Sequence, residues 1–253
     1  MEKSIGFIGG GRITKIFLQA FHNKNLSLKN VAVYDINNDT IEKLKQKFPE
    51  ISITDLKSVS SKEIIFIALH PPAIMEVLTS IKGFVSSSSV VISLAPKITL
   101  EKITTALEIK NVVRMIPNAT SVINQGYNPV CFAPGCADKQ NIMQLLSTLG
   151  KTFETDESKL EAYAIASAML PTYFWFQWFE MVEIAKQIGL SETEAEKTVE
   201  QTLLSSIATA FKSGLSSSEV FDLIPVKPIG DNEGQIKEVL QTKLLDLYAK
   251  IKP

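Results

Sequence analysis

The sequence predicts an α/β protein, in which an open, doubly wound and mainly parallel sheet is followed by an all-α domain. Three observations predict this. Short apolar, β-branched runs alternate with amphipathic stretches through the first half of the chain. Strand-like runs stop near residue 153, and a run of three glycines follows the first strand. Alternating β and α segments bury a parallel sheet under helices on both faces. The expected division is 1–153 for the α/β domain and 154–253 for the helical one.

The runs 4–8, 31–35, 51–54, 64–69, 90–94, 112–116 and 129–133 read as strands. The run 64–69, Ile-Ile-Phe-Ile-Ala-Leu, is continuously apolar, as a strand covered on both faces requires. Helical patterns occupy 13–21, 40–48 and 73–78 between them. Beyond the boundary, 157–188, 192–213, 217–223 and 233–251 read as helices. Two of these open with capping boxes, Ser191-x-x-Glu194 and Ser216-x-x-Glu219, and Gly189 and Gly214 stand where helices end.

At 253 residues and 45% hydrophobic content, the chain is long enough for one or two domains with a proper core. Its 26 Lys+Arg against 27 Asp+Glu exclude an electrostatic nucleic-acid binder. Cys131 and Cys136 form neither a disulfide framework nor a zinc-ligand spacing, and only 2 histidines are present, so no metal site is expected. The cysteines read as small apolar residues in a reducing compartment. The first apolar run is too short for a signal peptide, and a cytoplasmic location is expected. Residues 162–179 carry no charge, which is the length of a membrane span. They contain Ser167, Pro171, Thr172 and Gln177, however, and Glu180 and Glu183 follow. No membrane partner is expected, and the segment reads as a helix buried on all sides, in a domain core or between subunits.

The strongest chemical signal is the first strand running into Gly9-Gly10-Gly11-Arg12-Ile13-Thr14 and then a helix. This is the G-x-G-x-x-G/A fingerprint of a Rossmann dinucleotide-binding domain, with Thr14 at the last position. Gly9 permits the tight turn, and Gly11 admits a pyrophosphate to the amides of a helix N-terminus. Thr14 is bulkier than the usual residue and is expected to loosen helix–strand packing. Asp35 closes the second strand, where a carboxylate bonds the adenosine ribose and repels a 2′-phosphate. Ile36-Asn37-Asn38 follow without an arginine, so the bound cofactor NAD(P)H is expected to be NADH rather than NADPH. A turn-capping aspartate would look the same.

Further along, the chain resembles the pyrroline-5-carboxylate reductases. Ile5-Gly6-Phe7-Ile8-Gly9-Gly10-Gly11 is similar to that family's opening. Ile65-Phe66-Ile67-Ala68-Leu69-His70-Pro71 resembles its strand ending in Ala-Val-Lys-Pro, and Val91-Ile92-Ser93-Leu94-Ala95 its Ser-Ile-Ala-Ala-Gly segment. Val112-Val113-Arg114-Met115-Ile116-Pro117-Asn118 is similar to its Val-Val-Arg-x-Met-Pro-Asn stretch, and Gly126 falls where a glycine is expected. The family reduces a cyclic imine acid to proline with NAD(P)H, and its helical domain interlocks two subunits. The resemblance therefore implies a small-molecule substrate, hydride transfer to an imine or carbonyl carbon, and a homodimer or higher homo-oligomer. It places Gly9, Gly10, Gly11, Arg12 and Ile13 at the pyrophosphate and Asp35 and Asp55 at the adenosine end. Ala68, His70, Pro71, Ala95 and Asn118 fall on the nicotinamide side.

The substrate segments depart from the family pattern. Gly-Ser-Gly-Pro-Ala-Tyr appears as Ala168-Met169-Leu170-Pro171-Thr172-Tyr173, and Pro-Gly-Gly-Thr-Thr as Pro228-Ile229-Gly230-Asp231-Asn232. A substrate carboxylate beside Asp231 would meet like charge and lose hydroxyl donors. A cationic or amine-bearing substrate beside Met169, Leu170, Pro171, Asp231 and Asn232 is expected instead. His70 replaces a lysine and is either a proton donor near the nicotinamide or a strand-end cap. Glu157 matches a family glutamate and either orients substrate or marks a helix start. Lys97 replaces a glycine and either narrows the approach to the cofactor or faces solvent. His70, Glu157 and Asp231 are thus the catalytic candidates. The alternatives are a non-catalytic NAD(P)-binding regulator or enzyme relic and, disfavoured by the long helical tail, a deazaflavin-linked NADP reductase.

Overall fold

The structure is a computed structural model that describes residues 3–253. It divides into two compact units, the first running to Ala168 and taking in Leu247–Pro253, the second comprising Met169–Asp246.

The first unit is built on an eight-stranded sheet in the order β3-β2-β1-β4-β5-β6-β7-β8. Its elements are β1 (Ile5–Ile8), α1 (Arg12–Asn23), β2 (Val31–Tyr34), α2 (Asn38–Lys47), β3 (Ser52–Ile53) and α3 (Leu56–Ser60). The other half continues with β4 (Ile64–Ile67), α4 (Pro71–Ile81), β5 (Val90–Ser93), α5 (Leu100–Leu107) and β6 (Val112–Met115). It ends with β7 (Gly126–Phe132), α6 (Lys139–Ser147), β8 (Gly150–Glu154) and α7 (Leu160–Tyr163). Strands β1 to β6 are parallel, β7 is antiparallel to β6, and β8 is parallel to β7. Each strand read from the sequence is present. The strand β8 is additional: its residues Gly-Lys-Thr-Phe-Glu have no apolar run, because this edge strand is only half-buried.

Successive strand residues point to opposite faces, which divides the core in two. On one face Phe7 stacks on Phe66 at 4.6 Å between ring centroids, and Phe17 of α1 meets Phe66 edge-on at 5.5 Å. On the other face Ile8, Ile65, Ile67 and Val91 pack with Ile74 and Leu78 of α4, Ile103 of α5 and Leu160 of α7. Leu160 and Ala164 are buried in that second core, so the contact boundary falls at Ala168/Met169 and not at the 153/154 division expected from the strand pattern.

The stretch 157–188 is not one helix. A 3-10 turn at Glu157–Lys159, the short α7, a π-helical turn at Ala164–Ala168 and α8 (Leu170–Gln187) succeed one another. Pro171 sits in the first turn of α8, where its missing N–H is harmless, but its ring would clash with the carbonyl four residues earlier in a continuous helix. Nor is the segment buried on all sides within the chain. No residue of α8 is fully buried, and Phe176 and Phe179 are 68% and 71% exposed.

The second unit holds α8, α9 (Glu192–Lys212), α10 (Ser217–Asp222) and the greater part of α11 (Glu233–Ile251). Both expected capping boxes form, at Ser191/Glu194 and Ser216/Glu219. Among the described residues no helix is long and apolar enough to cross a membrane.

Candidate functional site

Because β1, β4, β5 and β6 are parallel and in register, their carboxyl ends share one edge of the sheet. Just beyond those ends lie Gly9, Ala68, Ala95 and Asn118. The strand order reverses at β1, with β2 and β3 to one side and β4 onward to the other, and dinucleotides bind at such a switch point.

The glycine turn has the shape the fingerprint implies. Gly9 has φ +105°, and a Cβ there would lie 2.4 Å from the carbonyl oxygen of Ala68. Gly11 is the opposite case: it is exposed, and a Cβ on it would meet nothing within 4 Å. Gly11 is also the N-cap of α1, which has no side-chain capping bond and no acidic residue in its first turn. The opening amides of a twelve-residue helix are thus left to an anion, beside a residue whose missing side chain leaves the approach clear. The residues fit a dinucleotide pyrophosphate. The helices α2, α3 and α5 differ in that Asn37, Asp55 and Thr99 close their amides.

Thr14 is fully buried and does not loosen the packing by leaving its hydroxyl stranded, because Oγ1 donates to the Gly9 carbonyl at 2.5 Å. Asp35 organises the same turn: Oδ2 accepts from the Gly10 amide at 2.7 Å and Oδ1 from the Asn37 amide at 2.8 Å. Asp55 accepts from the Ser58 amide at 2.7 Å, and the bonds from Ser58 hold its carboxyl below the usual value. A cavity of about 340 Å³ beside the turn is lined by Gly10 and Gly11 and by Arg12, Lys15, Lys43 and Lys47.

Of the residues expected on the nicotinamide side, Ala95 is buried and Ala68 and Pro71 are partly exposed. His70 is exposed at the N-cap position of α4, and its ring makes no capping bond. Asn118 is buried and fully engaged: Oδ1 accepts from the amide and hydroxyl of Thr120 at 3.0 and 2.8 Å, and Nδ2 donates to the Ser167 hydroxyl at 3.0 Å.

Glu157 belongs to an ion cluster that the sequence did not single out. Arg114 is fully buried in β6, donating from Nη1 to Glu157 Oε1 at 2.7 Å and from Nη2 to Glu161 Oε1 at 2.5 Å. The same two oxygens accept from the amides of Leu100 at 2.7 Å and Lys97 at 3.0 Å. The cluster fixes the loop after β5, where Lys97 has φ +75°. The signal for it was present: an arginine inside a four-residue apolar strand requires a buried carboxylate partner.

The expected substrate residues all lie in the helical unit. Met169, Leu170 and Pro171 open α8, and Asp231 and Asn232 are exposed in the 3-10 turn Gly230–Asn232 that precedes α11. Cys131 and Cys136 are buried free thiols, and burial pushes Cys131 up to about 12.

Residues 4–97 match the family model described as NADP oxidoreductase, coenzyme F420-dependent, which covers the nucleotide-binding half of the first unit. A pyrroline-5-carboxylate reductase of Corynebacterium melassecola is 25% identical over 246 residues, covering 93% of this chain and 90% of that one. The likeness thus runs through both units. The chain is similar to pyrroline-5-carboxylate reductases over nearly its whole length. The Escherichia coli pyrroline-5-carboxylate reductase is 24% identical, over 88% of this chain and 85% of its own. Among solved structures, Plasmodium falciparum pyrroline carboxylate reductase with NADP bound superposes with a TM-score of 0.82 at 19% identity. It covers 99% of this chain and 97% of its own, and the two share one fold.

Proposed function

We propose that this chain is an NAD(P)H-dependent reductase that delivers a hydride to the carbon of an imine, or of a related carbonyl group, in a small molecule. The observation that carries the reading is the uncapped N-terminus of α1 with Gly11 open in front of it, in a chain whose relatives are reductases over nearly their whole length. When bound, the reduced nicotinamide supplies the hydride. The chain's own part is binding and orientation: amides at Gly11 to Ile13 hold the pyrophosphate, and the ends of β4 and β5 present Ala68 and Ala95 to the nicotinamide. A protonated imine is already electrophilic, so orientation and exclusion of water suffice without a strong acid. His70, with an exposed ring free of capping bonds, is the side chain placed to hold a proton near that edge.

On the substrate side, Asp231 and Asn232 replace hydroxyl donors, which favours an amine-bearing or cationic substrate over a carboxylate. The exposed rings of the helical unit are the surface by which two copies associate, and the protein acts as a homodimer or higher homo-oligomer in the cytoplasm. On the sequence reading Asp35 favours NADH, but its two oxygens already bind the amides of Gly10 and Asn37. Cofactor choice then rests on the charges around the adenosine end. Nothing favours the non-catalytic alternative.

Titration calorimetry with NADPH and NADH, followed by spectrophotometric turnover of pyrroline-5-carboxylate and of an amine-bearing cyclic imine without a carboxylate, tests the reading. Cofactor binding with turnover of the second compound in preference to the first is expected. Absence of binding by both cofactors overturns it.

A further inference from the structure

We propose that Asn118, Ser167 and Pro171 form a joint that positions the first turn of α8 for substrate, with Asn118 acting through Ser167 and not by touching the nicotinamide. The inference rests on the reductase reading above and deepens it by giving these residues a role in substrate affinity.

The joint starts from a missing donor. In a continuous helix the Ser167 carbonyl would accept from the amide four residues on, but that residue is Pro171, which has no N–H. The next amide, that of Thr172, goes to the Met169 carbonyl at 2.9 Å instead. Asn118 supplies what the helix withholds: Nδ2 donates to the Ser167 carbonyl at 3.3 Å and to the Ser167 hydroxyl at 3.0 Å. That hydroxyl donates in turn to the Tyr127 carbonyl of β7 at 3.2 Å. The π-helical turn Ala164–Ala168, a form that recurs at functional sites, ends at this clamp.

Asn118 is itself held firmly. It is buried, its amide donates to Oδ1 of the fully buried Asn128 at 3.1 Å, and its own Oδ1 accepts from the Thr120 amide at 3.0 Å. As the cap of the 3-10 turn Ala119–Ile123 it needs only that oxygen, so the Nδ2 bonds serve something else. Both end on Ser167, which leaves the carboxamide no donor for a nicotinamide. What they hold is the backbone two residues before Met169, at the start of the stretch Met169, Leu170 and Pro171 that is expected to meet the substrate. A shift of that backbone displaces all three together, and misplacement by about 1 Å is costly to a reaction that relies on orientation.

Steady-state kinetics on the wild type, Pro171→Ala, Ser167→Ala and Ser167→Thr test the joint, with pyrroline-5-carboxylate and the amine-bearing cyclic imine as substrates and calorimetry for NADPH affinity. Pro171→Ala returns an N–H that competes with Asn118 for the Ser167 carbonyl, and Ser167→Ala removes one of the two acceptors. Each is expected to raise KM for the imine that the wild type turns over by at least about tenfold, with kcat within about threefold and NADPH affinity within about twofold. Ser167→Thr keeps the hydroxyl and is expected to keep the wild-type KM. The Pro171→Ala/Ser167→Ala variant should be no worse than the poorer single one, because both substitutions open the same joint. Unchanged KM in both single alanine variants, an equal rise in Ser167→Thr, additive losses in the double variant, or a fall in NADPH affinity in Ser167→Ala would each overturn the proposal. The last would return Asn118 to the nicotinamide. A wild type that turns over neither imine overturns the reductase reading, and the substrate role with it. Hydrogen exchange across residues 164–170 that Ser167→Ala leaves unaltered would then remove the joint as well.

Discussion

Arg114 Nη2 donates to Glu161 Oε1 at 2.5 Å with neither side chain more than 2% exposed. Two full charges are therefore held out of water, and Arg114 is tolerable there because both Glu161 and Glu157 pair with it. The arrangement binds three segments together, since Glu161 and Glu157 also accept from the amides of Lys97 and Leu100. Glu161→Ala leaves Arg114 with Glu157 alone and the Lys97 amide without its acceptor, so it should lower unfolding free energy by about 3–5 kcal/mol. An Arg114→Met/Glu161→Leu variant should recover most of that loss, because a buried pair replaced by apolar groups is often neutral. Urea unfolding of the three proteins checks both statements. Glu157, with a side chain 31% exposed, should cost less as Glu157→Gln, about 1–2 kcal/mol. If it positions the loop and transfers no proton, the pH profile of turnover keeps its shape in that variant. Loss of one limb of the profile would restore it to the catalytic residues.

The two outer glycines of the turn separate stability from binding. Gly9→Ala forces a side chain into a left-handed φ and against the Ala68 carbonyl, so it should destabilise the fold by more than about 2 kcal/mol. Gly11→Ala meets no atom within 4 Å and should fold like the wild type. Its methyl group would occupy the approach of the pyrophosphate, and dinucleotide affinity should fall by at least about tenfold. Thermal melting and calorimetry on both variants would show the pattern. A Gly11→Ala protein with unchanged affinity would place the pyrophosphate elsewhere.

Legibility in the sequence followed burial. The runs around Phe7, Phe66 and Ile92 are apolar because both sheet faces are covered, and their strands could be read directly. The strand β8 could not, since an edge position lets Lys151 and Glu154 face solvent and erases the apolar signal. The break in 157–188 was written in Pro171, but an uncharged stretch masked it. The glycine turn was legible at Gly9 and Gly11 because the backbone geometry they impose is local, whereas the bonds of Asp35 to the Gly10 and Asn37 amides were not read. The joining of Arg114 to Glu157 and Glu161 was not, because it spans more than forty residues and depends on the third dimension. The same holds for the meeting of α1 and α2 lysines in one cavity.

Lys97 stands where the resemblance to the reductases places a glycine, and its φ of +75° shows why a glycine belongs there. The loop is held in that conformation by the Lys97 amide bonding Glu161. A lysine in the left-handed region costs about 1–2 kcal/mol, partly offset by the greater unfolded-state freedom of glycine. Lys97→Gly should therefore raise the melting temperature by a few degrees, corresponding to about 0.5–1 kcal/mol. A lower melting temperature would show that the lysine stem, whose Nζ lies 3.5 Å from the Lys250 carbonyl, contributes more than the strain removes.

The helical unit exposes more apolar surface than an isolated soluble chain usually does. Phe179 is 71% exposed, Phe211 83% and Val226 72%. If two copies cover this surface, the protein should sediment at twice its 27.9 kDa or at a multiple of that. A Phe176→Glu/Phe179→Glu variant should shift toward the single-chain mass, with cofactor affinity unchanged because the proposed dinucleotide residues lie in the other unit. A wild type that sediments as a single chain at micromolar concentration would overturn the assembly.

The substrate's charge should be readable at Asp231. It is exposed in a short 3-10 turn and takes part in no ion pair among the described residues, so its replacement leaves no stranded cation and the fold is expected to survive. In the family pattern a threonine stands at this point of the Pro-Gly-Gly-Thr-Thr loop. Asp231→Thr removes a negative charge and restores a hydroxyl donor. Both changes favour an anionic ligand, by an amount set by how far the site excludes water. The variant should lower KM for pyrroline-5-carboxylate by about tenfold while raising it for an amine-bearing imine. The opposing shifts are the decisive feature, since a general loss of activity would move both substrates the same way. If neither KM moves, Asp231 does not meet the substrate, and the difference in substrate charge must be sought at Met169 and Leu170 instead.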